Sequence, residues 1–405
     1  MNGAPAARTE ATRNLVLATV AFALCFSAWG MIAPIAPKLQ DRLDLSNTET
    51  AIMIAVPVIL GSLARIPIGL LTDRYGGRLL FTGLLAYSAG AAVLVGFASS
   101  YPALLGAGLL LGIAGSSFAV GVPFLADWYE QERQGLALGV YGVGNIGTAV
   151  AAFSVPFVYT HLGQAAAGII FASVLAAFTF VWYSLARNAP AATHRSPDYR
   201  RILRSGWRMW QLALFYFVTF GGFVAMAIFL PKLLKDWFGY SLTDAGLRAA
   251  GFTLVATACR PLGGWLSDRF GGASVLTVAL MAVGVDAVGL SWQAGDPRIV
   301  PVTIFCLTMA GFLGLGNGAV FKIVPQEFPE TTGGVTGIVG AAGGLGGFFP
   351  PLVMGVIKDA TGTFTLGFVF LVAFAWGCAA AAVRLYRRAA RRPGGPRPGA
   401  VPSGE

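Results

Sequence analysis

Long apolar runs alternate with short polar or Gly/Pro-containing breaks along the chain, from Leu15–Pro37 near its start to Phe364–Leu385 near its end. Each run is about twenty residues long, which at 1.5 Å rise per residue lets a helix cross a hydrocarbon core of about 30 Å. Twelve such runs are counted. Their continuity, without a two-residue alternation, excludes a closed β-barrel. The predicted class is therefore an all-α membrane protein. Composition agrees: 56% of residues are hydrophobic and 11% charged, and the mean hydropathy is +0.70, outside the range of soluble domains.

The longest polar break, "ARNAPAATHRSPDYRRILRS" from Ala186, falls between the sixth and seventh runs. It divides the chain into a six-helix bundle at residues 1–186, a linker at 187–206, a second six-helix bundle at 207–388 and a basic tail at 389–405. An internal repeat supports two bundles of one design: "RIPIGLLTDRYGG" from Arg65 returns as "RPLGGWLSDRFGG" from Arg260, an offset of 195 residues. At that offset Asp73 and Arg74 pair with Asp268 and Arg269, and Gly139, Gly142 and Pro156 pair with Gly334, Gly337 and Pro351. Parallel six-helix repeats related by an axis along the membrane normal describe two-halved secondary transporters, with substrate held between the halves near midplane. The Gly turn with its Asp–Arg pair, continued by Arg78, suits a contact that locks helix ends in one state and frees them in another.

Charge sets orientation. Most of the 28 Lys and Arg fall in the breaks on the side of both termini, which predicts cytoplasmic termini in a multi-pass inner-membrane protein. The net charge of +10 comes largely from the linker and tail, and contact with anionic lipid accounts for it without nucleic acid. Cys25, Cys259, Cys306 and Cys378 lie in separate apolar runs, and His161 and His194 lie in breaks with no nucleophile nearby. These residues predict no metal site, no cofactor and no catalysis.

Two arginines change the picture. Arg65 stands eight residues before Asp73, and Arg260 eight before Asp268, so each sits about 12 Å inside the membrane edge. Placing a guanidinium there costs about 2.5–3.5 kcal/mol, and it cannot shed its charge. The repeat brings both to the axis between the halves, where like charges repel and call for an anion. The one carboxylate well inside a helix, Asp286, has no counterpart in the other half. A transported anion is thus the natural partner. "GLALGVYGVGNIGTAVAAFSVP" from Gly135 and "GGVTGIVGAAGGLGGFFPP" from Gly333 add glycine faces that let helices approach and slide, with Asn145 a polar amide inside the first.

The loop "GLLTDRYGGR" from Gly69 and its second copy resemble the signature of the major facilitator superfamily. Within it, "GVGNIG", "GAAGGLGG", "GNGAVFKIVPQEF" and "WGMIAPIAPKL" resemble the nitrate/nitrite porter family, in the expected helices and over the chain from Leu15 to Leu385. The resemblance implies the major facilitator fold, with nitrate or nitrite as cargo and a monomer in the bilayer. It implies that Arg65 and Arg260 bind the anion, that Asn145 lies beside it, and that Phe118, Tyr216 and Phe220 wall it. Gly139, Gly142, Gly144 and Gly147, with Gly337, Gly340, Gly343 and Gly344, form the moving glycine faces. Nitrate and nitrite are small and planar, and suit forked guanidinium donors between flat rings. The absence of a central carboxylate favours nitrate/nitrite exchange, while the family also contains proton-coupled symporters. A formate or oxalate exchanger, or a nitrate sensor that does not transport, are the other readings.

Overall fold

The computed structural model describes residues 3–190 and 206–390, and among them every regular element is helical. Most of the linker, His194 and the end of the tail therefore lie outside the described residues. Helix α1 spans Gly3–Trp29, followed by a short turn, Ala33–Ile35, and a short amphipathic helix, Ala36–Leu43. Next come α2 (Asn47–Tyr75), α3 (Gly77–Phe97) and α4 (Tyr101–Gly112, continued by Ser117–Ala126). Helix α5 begins at Gln131–Tyr141, tightens at Gly142–Asn145 and enters Ile146–Leu185, whose path breaks at Gly163 with φ 86°. The returning arm, residues 164–185, is α6. Its direction follows from its contacts: Gln164 donates to the Val95 and Ala98 carbonyls at one end of α3, and Trp182 donates to Arg78 at the other.

The second half repeats this plan. Helix α7 comprises Trp207–Tyr216, a π-helical turn at Phe217–Gly221, and Gly222–Phe238. It is followed by α8 (Leu242–Phe270), α9 (Gly272–Gln293), α10 (Ile299–Glu327), α11 (Thr332–Thr361) and α12 (Thr365–Ala390). Among the described residues nine segments are long and apolar enough to cross a membrane, one of them holding both α5 and α6. Helix α8 is not among the nine, since Arg248 and Arg260 lower the hydropathy of its apolar stretch. Arg260 is buried against protein, where a charged side chain is tolerated.

Local chemistry sets the boundaries. Ser46 and Glu49 form a reciprocal capping box at the start of α2. The repeated "DRxGG" ends α2 and α8 at Gly76 and Gly271, whose φ of 81° and 85° are closed to residues with a Cβ. The repeat thus encodes the same sharp corner twice.

The halves meet along two seams, α2 against α11 and α5 against α8. Glycine lets backbones touch there, which is how helices associate when burial from water gives no drive. A Cβ on Gly69 would come 2.1 Å from the Gly333 carbonyl oxygen, and one on Gly264 would come 1.8 Å from that of Gly135. Gly139 lies under the Arg260 carbonyl and Gly337 under that of Arg65. These contacts correct the repeat register expected for α5 and α11: the structural partner of Gly139 is Gly337, not Gly334, and that of Gly142 is Gly340, not Gly337. The offset here is 198, because the stretch from Asp268 to Gly333 is three residues longer than the corresponding stretch from Asp73 to Gly135. Glycines recurring every three or four positions still match glycine when slid by about one turn, which disguises the shift.

Candidate anion site

Arg65 on α2 and Arg260 on α8 are 3% and 2% exposed, so neither snorkels to an interface. Both guanidinium carbons lie 5.7 Å from the centroid of the same ring, Phe220. Among the described residues neither is paired with a carboxylate. Arg65 spends its Nε on the Gly115 carbonyl (3.1 Å) and its Nη1 on that of Gly340 (2.5 Å). Arg260 differs: its Nε and Nη1 are buried with no acceptor among the described residues. A buried charged donor left unpaired is costly, and an anion is the ligand that removes the cost.

Aromatic rings enclose the two cations. Phe118 stacks on Tyr216 (6.4 Å, 10°), Tyr216 stacks on Phe220 (4.9 Å, 7°), and Arg260 lies 5.5 Å from the Phe118 centroid. The three aromatics implied by resemblance are therefore brought together with both arginines. Two further rings complete the box and escaped the sequence reading: Tyr141 stacks on Phe118 at 5.5 Å, and Phe321 meets both Phe118 and Tyr216 edge-on at 4.6 Å. Tyr141 donates to the Ser117 carbonyl at 2.8 Å, and Gly121 leaves room for its ring. No pattern in a chain with 29 phenylalanines and 11 tyrosines singles these two out. The π-helical turn at Phe217–Gly221 widens α7 beside Phe220, a distortion often found at functional sites.

The other expected residues divide by place. Asn145 is buried in the tight turn of α5, where its Nδ2 donates to the Gly142 carbonyl at 2.8 Å. Gly142 and Gly340 lie beside the side chains of Arg260 and Arg65. Gly343 lies against Tyr216 and Phe220, and Gly344 against Ser62 and Arg65. Gly144 and Gly147 instead pack on Phe22 and Ala23 of α1, within the first half.

One end of both seams is held by carboxylates. Asp73 accepts from the backbone N–H groups of Gly333 and Gly334, both at 2.9 Å, at the start of α11. Asp268 accepts from Gly135 (2.9 Å) and Leu136 (2.8 Å) near the start of α5. Each uses its charge on the positive end of a helix dipole in the opposite half. Lys322, which the sequence places near the end of the tenth apolar run, is buried in α10 and pairs with Asp268 at 2.6 Å. Its signal was the same as that of the arginines, a cation inside an apolar run. Arg74 lies over Tyr75, and Arg269 over Trp265 and Phe270. Arg78 ties α3 to the Tyr183 carbonyl at the end of α6. A crevice of ≈ 530 Å³ between α7, α11 and α12, lined by Phe217, Met226, Phe349 and Phe374, includes none of the six expected anion-site residues.

The sequence profile of the Major Facilitator Superfamily matches residues 18–351 and 238–402. The chain belongs to this superfamily. Its fold agrees with superfamily structures: the xylose symporter XylE gives a TM-score of 0.75 at 14% identity, covering 93% of this chain and 96% of that one. FucP in its outward conformation gives 0.71 at 18% identity, covering 92% and 98%. Relatives within the superfamily are more similar in sequence. The chain is 39% identical over 370 residues to the probable nitrate/nitrite transporter NarK2 of Mycobacterium tuberculosis, covering 89% of this chain and 93% of that protein. It is 37% identical to the probable nitrate transporter NarT of Staphylococcus epidermidis, covering 89% and 93%. It is also 37% identical to the nitrite extrusion protein of Bacillus subtilis, covering 88% and 90%. These major facilitator relatives are the nitrate/nitrite porters that the sequence motifs resemble.

Proposed function

We propose that this major facilitator protein carries nitrate and nitrite across the cytoplasmic membrane by alternating access, with exchange of the two anions as its preferred mode. The observation that carries the reading is the pair of buried guanidinium groups over Phe220, with Arg260 Nε and Nη1 lacking partners among the described residues. The named activities of the relatives supply the anion's identity. Two fixed positive charges without a carboxylate make re-orientation of the empty site electrostatically costly, and a bound anion lowers that cost. The reading favours exchange over proton symport because Asp286, which accepts from Thr308 of α10 at 2.8 Å, makes no ion pair with either arginine among the described residues.

The reading includes twelve membrane crossings, bundles at residues 1–186 and 207–388, cytoplasmic termini and a monomer. In that orientation the Asp73 and Asp268 contacts close the cytoplasmic end, and they break when the site opens inward. The test is uptake of labelled nitrate into proteoliposomes loaded with nitrite or left empty, without a proton gradient. Uptake that requires internal nitrite and is lost in Arg65→Ala and Arg260→Ala supports exchange. Uptake that appears only with an imposed proton gradient and vanishes in Asp286→Asn replaces exchange with symport. Strong inhibition of nitrate uptake by formate or oxalate, but not by nitrite, replaces the substrate.

A further inference from the structure

Asn317 in α10 is 1% exposed, and neither Nδ2 nor Oδ1 has a hydrogen-bond partner among the described residues. A buried primary amide with both ends unpaired is rare in folded proteins and is a cost to the fold. Its surroundings say which function offsets that cost. Helix α10 packs on α7 in a register read from three contacts: Leu313 meets Gly222, Gly316 meets Thr219, and Phe321 meets Tyr216. Asn317 falls between these, at the level of the π-helical turn beside Phe220. On its other flank Gly318 packs under the Arg260 carbonyl, so Asn317 shares the layer of that arginine. Phe321, one turn further on the same face, is a wall of the aromatic box.

Other unpaired polar atoms occupy the same layer: Arg260 Nε and Nη1, and Thr219 Oγ1 on the facing turn of α7. A guanidinium has only donors, whereas the Asn317 amide offers an acceptor as well as two N–H donors. The Asn317 Oδ1 and Nδ2 and the Arg260 Nε and Nη1 are all without partners among the described residues, so the amide can offer its N–H groups to an anion that Arg260 holds. Arg65 has already committed Nε and Nη1 to backbone carbonyls, so its fork is only partly open to an anion. Nitrate presents three oxygens and nitrite two. A neutral N–H is the added donor that a third oxygen needs, without a third positive charge in the site.

We infer that Asn317 binds the anion through Nδ2 and sets the preference of the site for nitrate over nitrite. This inference rests on the reading of the Arg65–Arg260 site as a nitrate/nitrite site. The experiment measures half-saturating nitrate and nitrite concentrations for exchange in proteoliposomes, with the melting temperature of the purified, anion-free protein. The variants are Asn317→Leu, of similar volume, and Asn317→Ala, which removes the amide without adding charge. Expected for both is about a tenfold or greater rise in the half-saturating concentration for nitrate and a rise of no more than about threefold for nitrite. Asn317→Leu leaves the anion-free melting temperature unchanged or raised, because it removes an unpaired polar group. A purely structural role lowers the melting temperature and leaves the nitrate-to-nitrite ratio intact, which overturns the inference. If Asn317→Leu does not fold, the ratio in Asn317→Ala decides alone. Failure of the native protein to exchange either anion overturns the reading of the site together with this assignment. Native exchange with an unaltered ratio in the variants overturns the assignment only.

Discussion

The Arg65 and Arg260 corners come from one repeated design and are used differently. In each, a helix carries an arginine eight residues before an aspartate, a glycine of the opposite half lies under the arginine's carbonyl, and the aspartate caps a helix across the seam. Arg65 is anchored by two backbone carbonyls, while Arg260 keeps Nε and Nη1 unpaired. Asp268 carries the buried Lys322 as an additional partner. Duplication thus supplies a symmetric frame with departures from symmetry: one guanidinium is held by backbone carbonyls, and the other keeps two buried nitrogens without acceptors among the described residues, the difference on which the proposed anion site rests.

That contrast can be broken most strongly at the arginines. Arg65→Gln and Arg260→Gln are each expected to reduce nitrate exchange by at least about a hundredfold, the scale of losing a charge-assisted anion contact of about 3 kcal/mol. They separate in stability. Arg65→Gln leaves the Gly115 and Gly340 carbonyls short of donors and lowers the melting temperature, whereas Arg260→Gln relieves unpaired donors and does not. Equal melting shifts in the two variants would remove the distinction between fixed and available arginine.

The aspartate corners come next. Asp268→Asn strands a buried ammonium, for which breaking one side of a buried pair costs about 3–5 kcal/mol, and Lys322→Met in the same chain should restore most of it. A double-mutant cycle on melting temperature checks the coupling. Asp73→Asn should cost about 1–2 kcal/mol as a weakened helix cap and should not be rescued by Lys322→Met. Smaller again are the seams: Gly139→Ala and Gly337→Ala each force a Cβ to within 2.6 Å and 2.3 Å of a carbonyl oxygen. An overpacking cost of about 1–3 kcal/mol is expected for each. Gly83→Ala, with open space around its Cβ, serves as the control and should stabilise by up to about 1 kcal/mol.

The smallest effect concerns pH at the entry to α2. The backbone and side chain of Ser46 hold the exposed Glu49 carboxyl below its ordinary value of 4.5. A depressed carboxylate contributes stability that is present above its unfolded value and lost as pH falls through the folded one. Glu49→Gln should therefore flatten a shallow acid-side fall in melting temperature and leave neutral-pH exchange unchanged.

How far the sequence carried these conclusions depends on range. The membrane class, the helices, the repeat and both arginines were legible because they rest on local quantities: the length of apolar runs, the cost of a guanidinium in hydrocarbon and a literal sequence match. Gly76 and Gly271 were legible as corners for the same reason, since the backbone there admits only glycine. Three-dimensional packing decided what local quantities leave degenerate. A glycine face slid by a turn still presents glycine, so only contact fixed Gly139 opposite Arg260 and Gly337 opposite Arg65. Tyr141 and Phe321 look like ordinary core until stacked on Phe118. Lys322 reads as a boundary cation until Asp268 meets it. The sequence by itself determined which groups must be buried and at what expense; the tertiary structure decided which of those groups find partners within the described residues and which do not, because partners are set by packing between distant helices.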